Sequence, residues 1–311
     1  MKKWIAKAVV QKTISYLPFG HSINEQFQKW ITKGIYLTED YFKDRLEHAK
    51  NHIDFFRQLK GDAPFQTTLE IGTGWYPVVP ISLYLSGAER IISIDISTHT
   101  NRERLQLTIE KFLEFHENGT LKNYLNYDPV RIQKLKNLIA KIDKPGFDDI
   151  AKQLHIQFTV GDARKLEFIK ENEVDLITSN NTFEHIYSSV LIDILKEFRR
   201  VVKRDGIMSH FVDMSDHFAH FDKSITVYNF LQFSDGQWKA IDNSIQPQNR
   251  LRLTDYRNIY SDLSIPISLE VVRPGELQQL QSIKLDKRFA SMPEKDLAIT
   301  HCYMVSKMSK L

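Results

Sequence analysis

The run TTLEIGTG, residues 67–74, is a β-branched segment that ends in two glycines separated by one residue. Such a segment predicts a buried strand of a parallel sheet, and glycine lets the following backbone approach a ligand without a Cβ in the way. An apolar segment at residues 78–85, closed near Gly87, then predicts a helix. A strand, a glycine-rich turn and a helix predict the first unit of an open α/β sheet, whose ligands bind beyond the carboxyl ends of its strands.

The rest of the chain continues this alternation. Residues 1–60 and 100–153 are predicted to be mostly helical. Further strands are predicted at residues 90–95, 156–160, 174–178 and 207–212, with a late pair at 268–272 and 297–305. The sequence therefore predicts a Rossmann-like α/β fold. It has a seven-stranded, mostly parallel sheet with an antiparallel last strand, a helical N-terminal region and an insertion after the fifth strand.

Composition places the chain among ordinary globular proteins. Of its 311 residues, 42% are hydrophobic and 26% charged, which excludes wholesale disorder. The single cysteine, Cys302, excludes a disulfide framework and a cysteine-based zinc site. The net charge of +3 is far below the concentrated basic face of nucleic-acid-binding proteins, so we expect no nucleic-acid partner. No apolar run reaches the ~18 to 20 residues that span a bilayer, and we expect a cytoplasmic protein.

The N-terminal segment MKKWIAKAVVQK, residues 1–12, mixes apolar residues with lysines. Lys7 interrupts the apolar core that a signal peptide would need, so the segment predicts a basic amphipathic helix. Two interpretations stay open for this helix: peripheral contact with an anionic membrane surface, or packing on the protein's own domain.

The turn after the first strand also bears on the cofactor. A dinucleotide site needs G-x-G-x-x-G, but Pro77 takes the third glycine position, after the bulky pair Trp75-Tyr76. This weighs against a nicotinamide cofactor. Asp95 ends the second strand, where an acidic residue can accept hydrogen bonds from both hydroxyls of a ribose. Asp162 follows the third strand and could accept from an adenine amine. The pattern predicts a nucleoside pocket, with a loop acid or a helix cap as the alternative for both aspartates.

Four motifs, taken in order, resemble those of class I S-adenosylmethionine-dependent methyltransferases: LEIGTG at 69–74, IISID at 91–95, GDARKL at 161–166 and DLITSNNTFEHI at 175–186. The resemblance covers about residues 66–212 and extends to the late strand pair. The chain departs from the family at residues 75–77, where WYP replaces a third small residue. The resemblance implies S-adenosylmethionine as the cofactor. It also implies a set of binding residues: Gly72 and Gly74 under the methionine part, Glu70 near its amino group or the amides of the turn, Asp95 on the ribose, Asp162 with Ala163 at the adenine, and Asn180 beside the sulfonium.

We divide the chain into four parts, of which the resemblance covers the core and the late strand pair. They are a helical N-terminal lid (1–64), a cofactor-binding core (65–212), an acceptor-recognition insertion (213–264) and a strand pair that completes the core (265–311). The insertion interleaves aromatic residues with Arg250 and Arg252. This composition suits a sugar, a nucleotide or an acidic small molecule, or else a packed cap.

Candidate catalytic residues follow the fourth and fifth strands. Residues 180–183, NNTF, lack the two prolines that methyltransferases of nucleic-acid bases and amides carry there, which argues against that subclass. The segment DMSDHFAHFD, residues 213–222, is dense in histidine and aspartate. Three interpretations stay open for it: a general base with an orienting aspartate, divalent-metal ligands, or acceptor-binding or structural hydrogen bonds. Its spacing alone identifies no metal site. The candidates are His217, His220, His185 and Asp213.

We therefore expect S-adenosylmethionine-dependent methyl transfer to a small-molecule acceptor, at a hydroxyl rather than at nitrogen or carbon. The runs SDHFAHFD (215–222) and QNRLR (248–252) resemble uncharacterised bacterial small-molecule methyltransferases, some associated with surface-polysaccharide assembly. This favours a sugar or polysaccharide precursor. Two alternatives stay open: a non-catalytic module that binds S-adenosylmethionine or S-adenosylhomocysteine as a partner or regulator, and an NAD-dependent oxidoreductase. The sequence predicts neither the acceptor's identity nor the oligomeric state.

Overall fold

The structure, a computed structural model, describes residues 2–17, 36–140 and 146–309. Within these residues the chain forms one seven-stranded sheet with the order β3-β2-β1-β4-β5-β7-β6. Its strands are β1 (Thr67–Ile71), β2 (Arg90–Asp95), β3 (Ile156–Val160), β4 (Val174–Asn180), β5 (Val202–Asp213), β6 (Leu269–Pro274) and β7 (Ile299–Lys307).

Helices of the described residues alternate with the strands and then follow them. The helices are α1 (Lys3–Ile14), α2 (Glu39–Lys60), α3 (Val78–Leu85), α4 (Arg102–Glu117), α5 (Pro129–Ala140), α6 (Phe147–Gln153), α7 (Ser188–Val201), α8 (Phe218–Phe221), α9 (Asp235–Ile241), α10 (Leu253–Asp262), α11 (Leu277–Gln281), α12 (Lys287–Ala290) and α13 (Glu294–Leu297). Short 3₁₀ helices span Leu121–Asn123, Phe183–His185 and Asn229–Gln232. The predicted helical residues 18–35 lie outside the described residues.

Four neighbouring strands of the sheet are parallel. Strand β1 pairs with β2 and β4, and β2 pairs with β3, so that Ile71 lies opposite Ile94 and Ser179 while Asp95 lies opposite Val160. Because parallel strands end at the same edge, the residues that follow these four strands come to one edge of the sheet. This is the edge at which open α/β sheets bind ligands.

The other end of the sheet is antiparallel. The amide of Met308 donates to the carbonyl of Gly206 and the amide of Met214 donates to the carbonyl of Thr300, at 2.9 and 2.7 Å. Residue numbers therefore rise along β5 as they fall along β7. The predicted mostly parallel, seven-stranded α/β sheet with an antiparallel last strand is confirmed.

Strand β5 begins earlier than the sequence predicts. The pattern places residues 203–206 at the end of a helix, but α7 ends at Val201 and β5 starts at Val202. A Cβ on Gly206 would stand 2.8 Å from a methyl carbon of Val202 and 3.0 Å from the carbonyl oxygen of Val174. Glycine is therefore required at position 206 because neighbouring atoms of the sheet come too close for a Cβ. It does not mark the end of the helix.

The described residues form two compact units. The first unit comprises residues 37–180, 193–210 and 305–311, and the second comprises 1–36, 181–192 and 211–304. These bounds differ from the predicted division, since residues 37–64 belong with the core and residues 265–304 with the insertion. The functional roles of the predicted parts, a lid and an acceptor-recognition insertion, stay predictions.

Aromatic contacts explain why α2 belongs to the first unit. Phe42 packs edge-on against Phe112, with ring centroids 5.0 Å apart, and Phe56 packs against Phe65 at 5.2 Å. Edge-to-face pairs of this kind add to the free energy gained by burying the rings. Helix α2 is therefore part of the first unit's core.

Helix α1 packs on the second unit. The ring of Trp4 lies 5.8 Å from that of Phe218 and 5.8 Å from that of Phe233, and the Trp4 amide donates to Oδ2 of Asp222 at 3.0 Å. This is one of the two interpretations left open for the N-terminal segment, and contact with a membrane surface stays a prediction. Across the described ranges, no helix is long and apolar enough to cross a membrane.

Candidate functional site

The turn after β1 is open and depends on glycine. Gly72 and Gly74 have φ angles of 84° and 64°, in the left-handed region that other residues rarely adopt. Chain neighbours apart, none of the described residues places a heavy atom within 4 Å of the position that a Cβ on Gly74 would take. The Gly74 amide donates to Oδ2 of Asp95 at 3.2 Å, and the Thr100 hydroxyl donates to the Gly74 carbonyl at 2.9 Å. The turn is thus a fixed cradle that a side chain would fill.

Glu70 lies under this turn as a buried carboxyl group. It is 3% exposed, and its Oε2 accepts a hydrogen bond from the Ser93 hydroxyl at 2.8 Å. The Ser93 hydroxyl lies 2.7 Å from that of Thr73, within the turn. Burial raises the pKa of Glu70 to about 8, because the hydroxyl compensates only part of the lost hydration. A positively charged ligand group would favour the carboxylate form.

The two predicted nucleoside-binding aspartates have different surroundings. Asp95 ends β2 and accepts from the amides of Gly74 and Ser97, each at 3.2 Å. Asp162 accepts from Nε of Arg164 at 2.9 Å, and this arginine lowers the pKa of the Asp162 carboxyl. Asp162 therefore behaves as a loop acid in this structure, with Ala163 buried beside it at 6% exposure. Binding of ribose by Asp95 and of adenine by Asp162 stays a prediction.

Asn180, the last residue of β4, is held by a histidine that the sequence did not indicate. Its Oδ1 lies 2.9 Å from Nε2 of His52, whose Nδ1 lies 2.7 Å from the Ser209 hydroxyl. Burial lowers the pKa of His52 to about 3, so the ring is neutral. A neutral ring that donates to Asn180 must accept from Ser209, which fixes the orientation of the Asn180 amide.

Trp75 forms a wall beside the turn, where the chain departs from the family pattern. Its ring lies 4.5 Å from that of His99 and 4.4 Å from the guanidinium carbon of Arg104. A guanidinium over an indole is a favourable cation–π pair. The bulky WYP segment is therefore ordered around the turn.

These residues fit S-adenosylmethionine. The Cβ-free turn admits a ligand close to the backbone, Glu70 offers a buried carboxyl group to an amino group, and Asp95 offers a carboxylate to ribose hydroxyls. The assignments of Gly72, Gly74 and Asn180 agree with this fit and stay predictions.

The second unit brings the candidate catalytic residues together. His185 lies in the 3₁₀ helix after β4, and Asp213 ends β5 just before His217 and His220. The ring centroid of His217 lies 5.0 Å from that of His185 and 5.4 Å from that of His220. We call these four residues the histidine cluster. Residues from two distant segments thus form one group.

Asp213 is buried but keeps its charge. Its Oδ2 lies 3.4 Å from Nε2 of His217, its Oδ1 lies 3.4 Å from Nε2 of His301, and the Ser215 amide donates to it at 2.8 Å. Burial raises its pKa, but the two imidazoles and the Ser215 hydrogen bond together hold the pKa well below its usual range. The sequence did not indicate His301, because it lies inside a buried strand without a motif.

His185 has a defined tautomer. Its Nδ1 lies 2.7 Å from the carbonyl oxygen of Pro247, which can only accept, so Nδ1 carries the proton and Nε2 carries the lone pair. Burial lowers the pKa of His185 to about 4, and the neighbouring His217 acts in the same direction. His220 places Nε2 3.2 Å from the Ser215 hydroxyl, and burial lowers its pKa as well.

The two arginines of the insertion hold the second unit together. Arg252 is fully buried and donates to the carbonyls of Leu297 and Ile299, each at 2.6 Å. Arg250 donates to the carbonyl of Phe230 at 3.0 Å and pairs with Asp235. For these two residues the packed-cap interpretation describes the structure, and neither presents its guanidinium to an acidic acceptor.

Comparison with known proteins begins with a family profile. A profile described as a methyltransferase domain matches residues 136–209. The matched segment includes β3, β4 and α7, and with them Asp162 and Asn180. The match agrees with the motif resemblance and favours a methyltransferase over a nicotinamide-dependent oxidoreductase. No curated protein matches the chain.

The chain is also similar to solved structures at low identity. A protein from Haloferax volcanii, solved with the Trm112 methyltransferase activator, is 14% identical over 88% of this chain and 95% of its own, with a TM-score of 0.43. YcgJ from Bacillus subtilis is 13% identical over 85% and 99%, with a TM-score of 0.43. Geranyl diphosphate methyltransferase, solved with S-adenosylmethionine, is 10% identical over 88% and 93%, with a TM-score of 0.45.

Proposed function

We propose that the chain is a class I S-adenosylmethionine-dependent methyltransferase that methylates a hydroxyl group of a small polar molecule, such as a sugar or a polysaccharide precursor. The observation that carries this proposal is the histidine cluster, in which Oδ2 of Asp213 lies 3.4 Å from Nε2 of His217. A small cavity of the second unit, with room for about one water molecule, lies beside His217. Amides, opposite charges and an aromatic ring line it: Lys7, Gln11, Trp238, Asp242, Gln246 and Gln248.

The amide side chains that line this small cavity can form hydrogen bonds with a hydroxyl group. Amide side chains exchange hydrogen bonds with hydroxyls in both directions. Gln248 is held in place, since it donates to the Ser215 carbonyl at 2.8 Å and accepts from the His217 amide at 3.2 Å. Arg250 pairs with Asp235, and Arg252 donates to backbone carbonyls. Because both guanidinium groups are engaged within the protein, we favour a neutral acceptor over an acidic one.

The histidine cluster supplies what a hydroxyl acceptor needs. S-adenosylmethionine supplies an electrophilic methyl group on a positively charged sulfur. A hydroxyl exchanges its proton for that methyl group, so the protein must take up the proton, whereas an amine or a thiol needs only its correct protonation state. We assign proton uptake to the cluster, in which Asp213 orients the ring of His217 at 3.4 Å. His185 and His220 flank this ring.

Turnover on a panel of neutral sugars and nucleotide sugars tests this proposal. We expect a methyl ether, identified by mass spectrometry and NMR. We expect His217→Gln to lower kcat by about 10²- to 10⁴-fold with unchanged affinity for S-adenosylhomocysteine. His116→Gln, on α4 beside Tyr127, is the matched control and keeps full activity. A methylated nitrogen or carbon, or full turnover by His217→Gln, would contradict the proposal.

A further inference from the structure

Glu184, His185 and His217 bring three potential metal ligands to one place in the second unit. One donor atom from each residue, a carboxylate oxygen and two ring nitrogens, lies within 4.8 Å of the other two. Glu184 is 3% exposed, and both histidines are partly buried. Imidazole and carboxylate groups together form a donor set that binds divalent transition metals. Their burial in the fold holds these donor atoms close to one another.

Both histidine rings are held through a second contact. Nδ1–H of His185 donates to the carbonyl of Pro247 at 2.7 Å, so Nε2 keeps its lone pair for a cation. Oδ2 of Asp213 lies 3.4 Å from Nε2 of His217 and can hold that ring while Nδ1 binds a cation. Carbonyl and carboxylate partners of this kind orient metal-ligating histidines and make them more basic.

The backbone under Glu184 and His185 is also fixed. The side-chain amide of Asn249 donates to the carbonyls of Phe183 and Ile186 at 2.7 and 2.8 Å, and its backbone amide donates to the carbonyl of Glu184 at 2.9 Å. Ligand bonds of about 2.0 to 2.2 Å allow donor atoms on one cation to be up to ~4.4 Å apart. A closure of a few tenths of an ångström from the 4.8 Å limit therefore brings the three donors onto one cation.

We propose that Glu184, His185 and His217 bind one divalent transition-metal cation, which takes the oxygen of the acceptor hydroxyl as a further ligand. The second part of this statement rests on the proposed function, and the first does not. Three protein ligands leave coordination positions for water or substrate, as in catalytic rather than structural sites.

The cation would act as a Lewis acid without changing its oxidation state. It lowers the pKa of a bound hydroxyl. The O–H bond then breaks, its electron pair stays on oxygen, and the proton passes to water. In this form of the protein His217 is a ligand, and Asp213 orients a ligand ring instead of a proton acceptor. The cation thus takes over from the histidine cluster the task of making the hydroxyl nucleophilic.

Titration of the chelator-treated, full-length protein with Co²⁺ and Zn²⁺ tests the site without any acceptor. We expect one equivalent of either cation to bind, with visible d–d absorption from Co²⁺. We expect Glu184→Gln, His185→Gln and His217→Gln each to weaken Co²⁺ binding by at least about 100-fold. His220→Gln is the matched control for binding, since its ring lies 5.4 Å from that of His217 but outside the trio. Each variant is checked for folding by its S-adenosylhomocysteine affinity.

The outcomes separate this inference from the proposed function. Wild-type protein that binds neither cation stoichiometrically overturns the metal site, as does unchanged Co²⁺ affinity in folded His185→Gln. If a hydroxyl is methylated at full rate by metal-free protein, the metal inference fails and the proposed function stands. If Co²⁺ binds as expected but nitrogen is methylated, the metal site stands and the proposed function fails.

Discussion

Glu70 in the first unit and Asp213 in the second are both buried carboxyl groups, with 3% and 4% of their surface exposed, yet their charges are handled in opposite ways. Glu70 accepts a hydrogen bond from the neutral hydroxyl of Ser93, and burial raises the pKa of Glu70 to about 8. Asp213 lies between His217 and His301, and its pKa is held below its usual range despite burial.

The difference shows that partners, more than burial, decide whether a buried acid is charged. Asp213 has its compensating groups built in, so its charge is permanent and orients the ring of His217. Glu70 lacks a built-in cation of comparable strength, so its carboxylate form is favoured only when a positively charged ligand arrives. We infer that Asp213 serves orientation and Glu70 serves ligand recognition.

The largest effect is expected from Asp213→Asn. The variant keeps the shape of the side chain but removes the charge that orients His217. We expect methyl transfer to fall by about 10²- to 10⁴-fold, as for loss of an orienting carboxylate behind a catalytic histidine. Asp262→Asn, an exposed carboxylate of the same unit, provides a comparison that leaves this pair intact. Initial rates of S-adenosylhomocysteine release measure the effect, and a loss below threefold would show that Asp213 has no such role.

A smaller effect is expected from Glu70→Gln. This variant should change the affinity for S-adenosylhomocysteine and not the rate of methyl transfer. A hydrogen bond to a charged group contributes about 1.5 to 3 kcal/mol, so S-adenosylhomocysteine should bind about 10- to 100-fold more weakly. Calorimetric titration measures this change, with Glu103→Gln, an exposed acid on α4, as the control. Unchanged affinity in Glu70→Gln would remove Glu70 from the cofactor site.

The same acid predicts how stability depends on pH. The folded state holds the Glu70 proton more tightly than the unfolded state, because its pKa is raised from 4.5 to about 8. The associated stability is fully present below pH 4.5 and is lost as the pH rises toward 8. Relative to Glu70→Gln, the wild type should lose about 2 kcal/mol of unfolding free energy between pH 6 and pH 8. Urea unfolding at both values measures it, and parallel pH profiles would contradict a raised pKa.

The smallest effect is expected at Trp75. Its contacts with Arg104 and His99 order the wall beside the glycine turn, and a cation–π pair contributes about 0.5 to 1 kcal/mol. Trp75→Ala should weaken S-adenosylhomocysteine binding by about two- to fivefold, and Trp75→Phe by less. A loss as large as that of Glu70→Gln would instead make Trp75 a direct cofactor contact.

The first unit could be predicted from sequence further than the second. Neighbouring parallel strands carry three of the predicted cofactor residues at or near their ends: Glu70, Asp95 and Asn180. Because parallel strands end at one edge of the sheet, this grouping can be predicted without knowing how the side chains pack. Asp162 and Arg164 are both visible in the GDAR motif, two residues apart. The motif alone does not predict that the aspartate pairs with this arginine, as it does in the structure.

The second unit depends on contacts that no spacing rule gives. The Pro247 carbonyl that fixes His185 lies 62 residues away, and His301 reaches Asp213 from a buried strand. Glu184 lies in the motif DLITSNNTFEHI, but only the fold brings its carboxylate near the ring of His217. Arg250 and Arg252 lie in a segment whose composition suits ligand binding. In the structure their guanidinium groups instead donate to backbone carbonyls of the second unit.

Titration of S-adenosylhomocysteine into wild-type, Asp95→Ala and Asp213→Asn protein tests most directly the claim that the first unit holds the cofactor and the second performs the proton chemistry. We predict tight binding to the wild type, loss of binding in Asp95→Ala, and wild-type affinity in Asp213→Asn together with its loss of turnover. Unchanged binding in Asp95→Ala, or binding lost in a folded Asp213→Asn, would contradict this division.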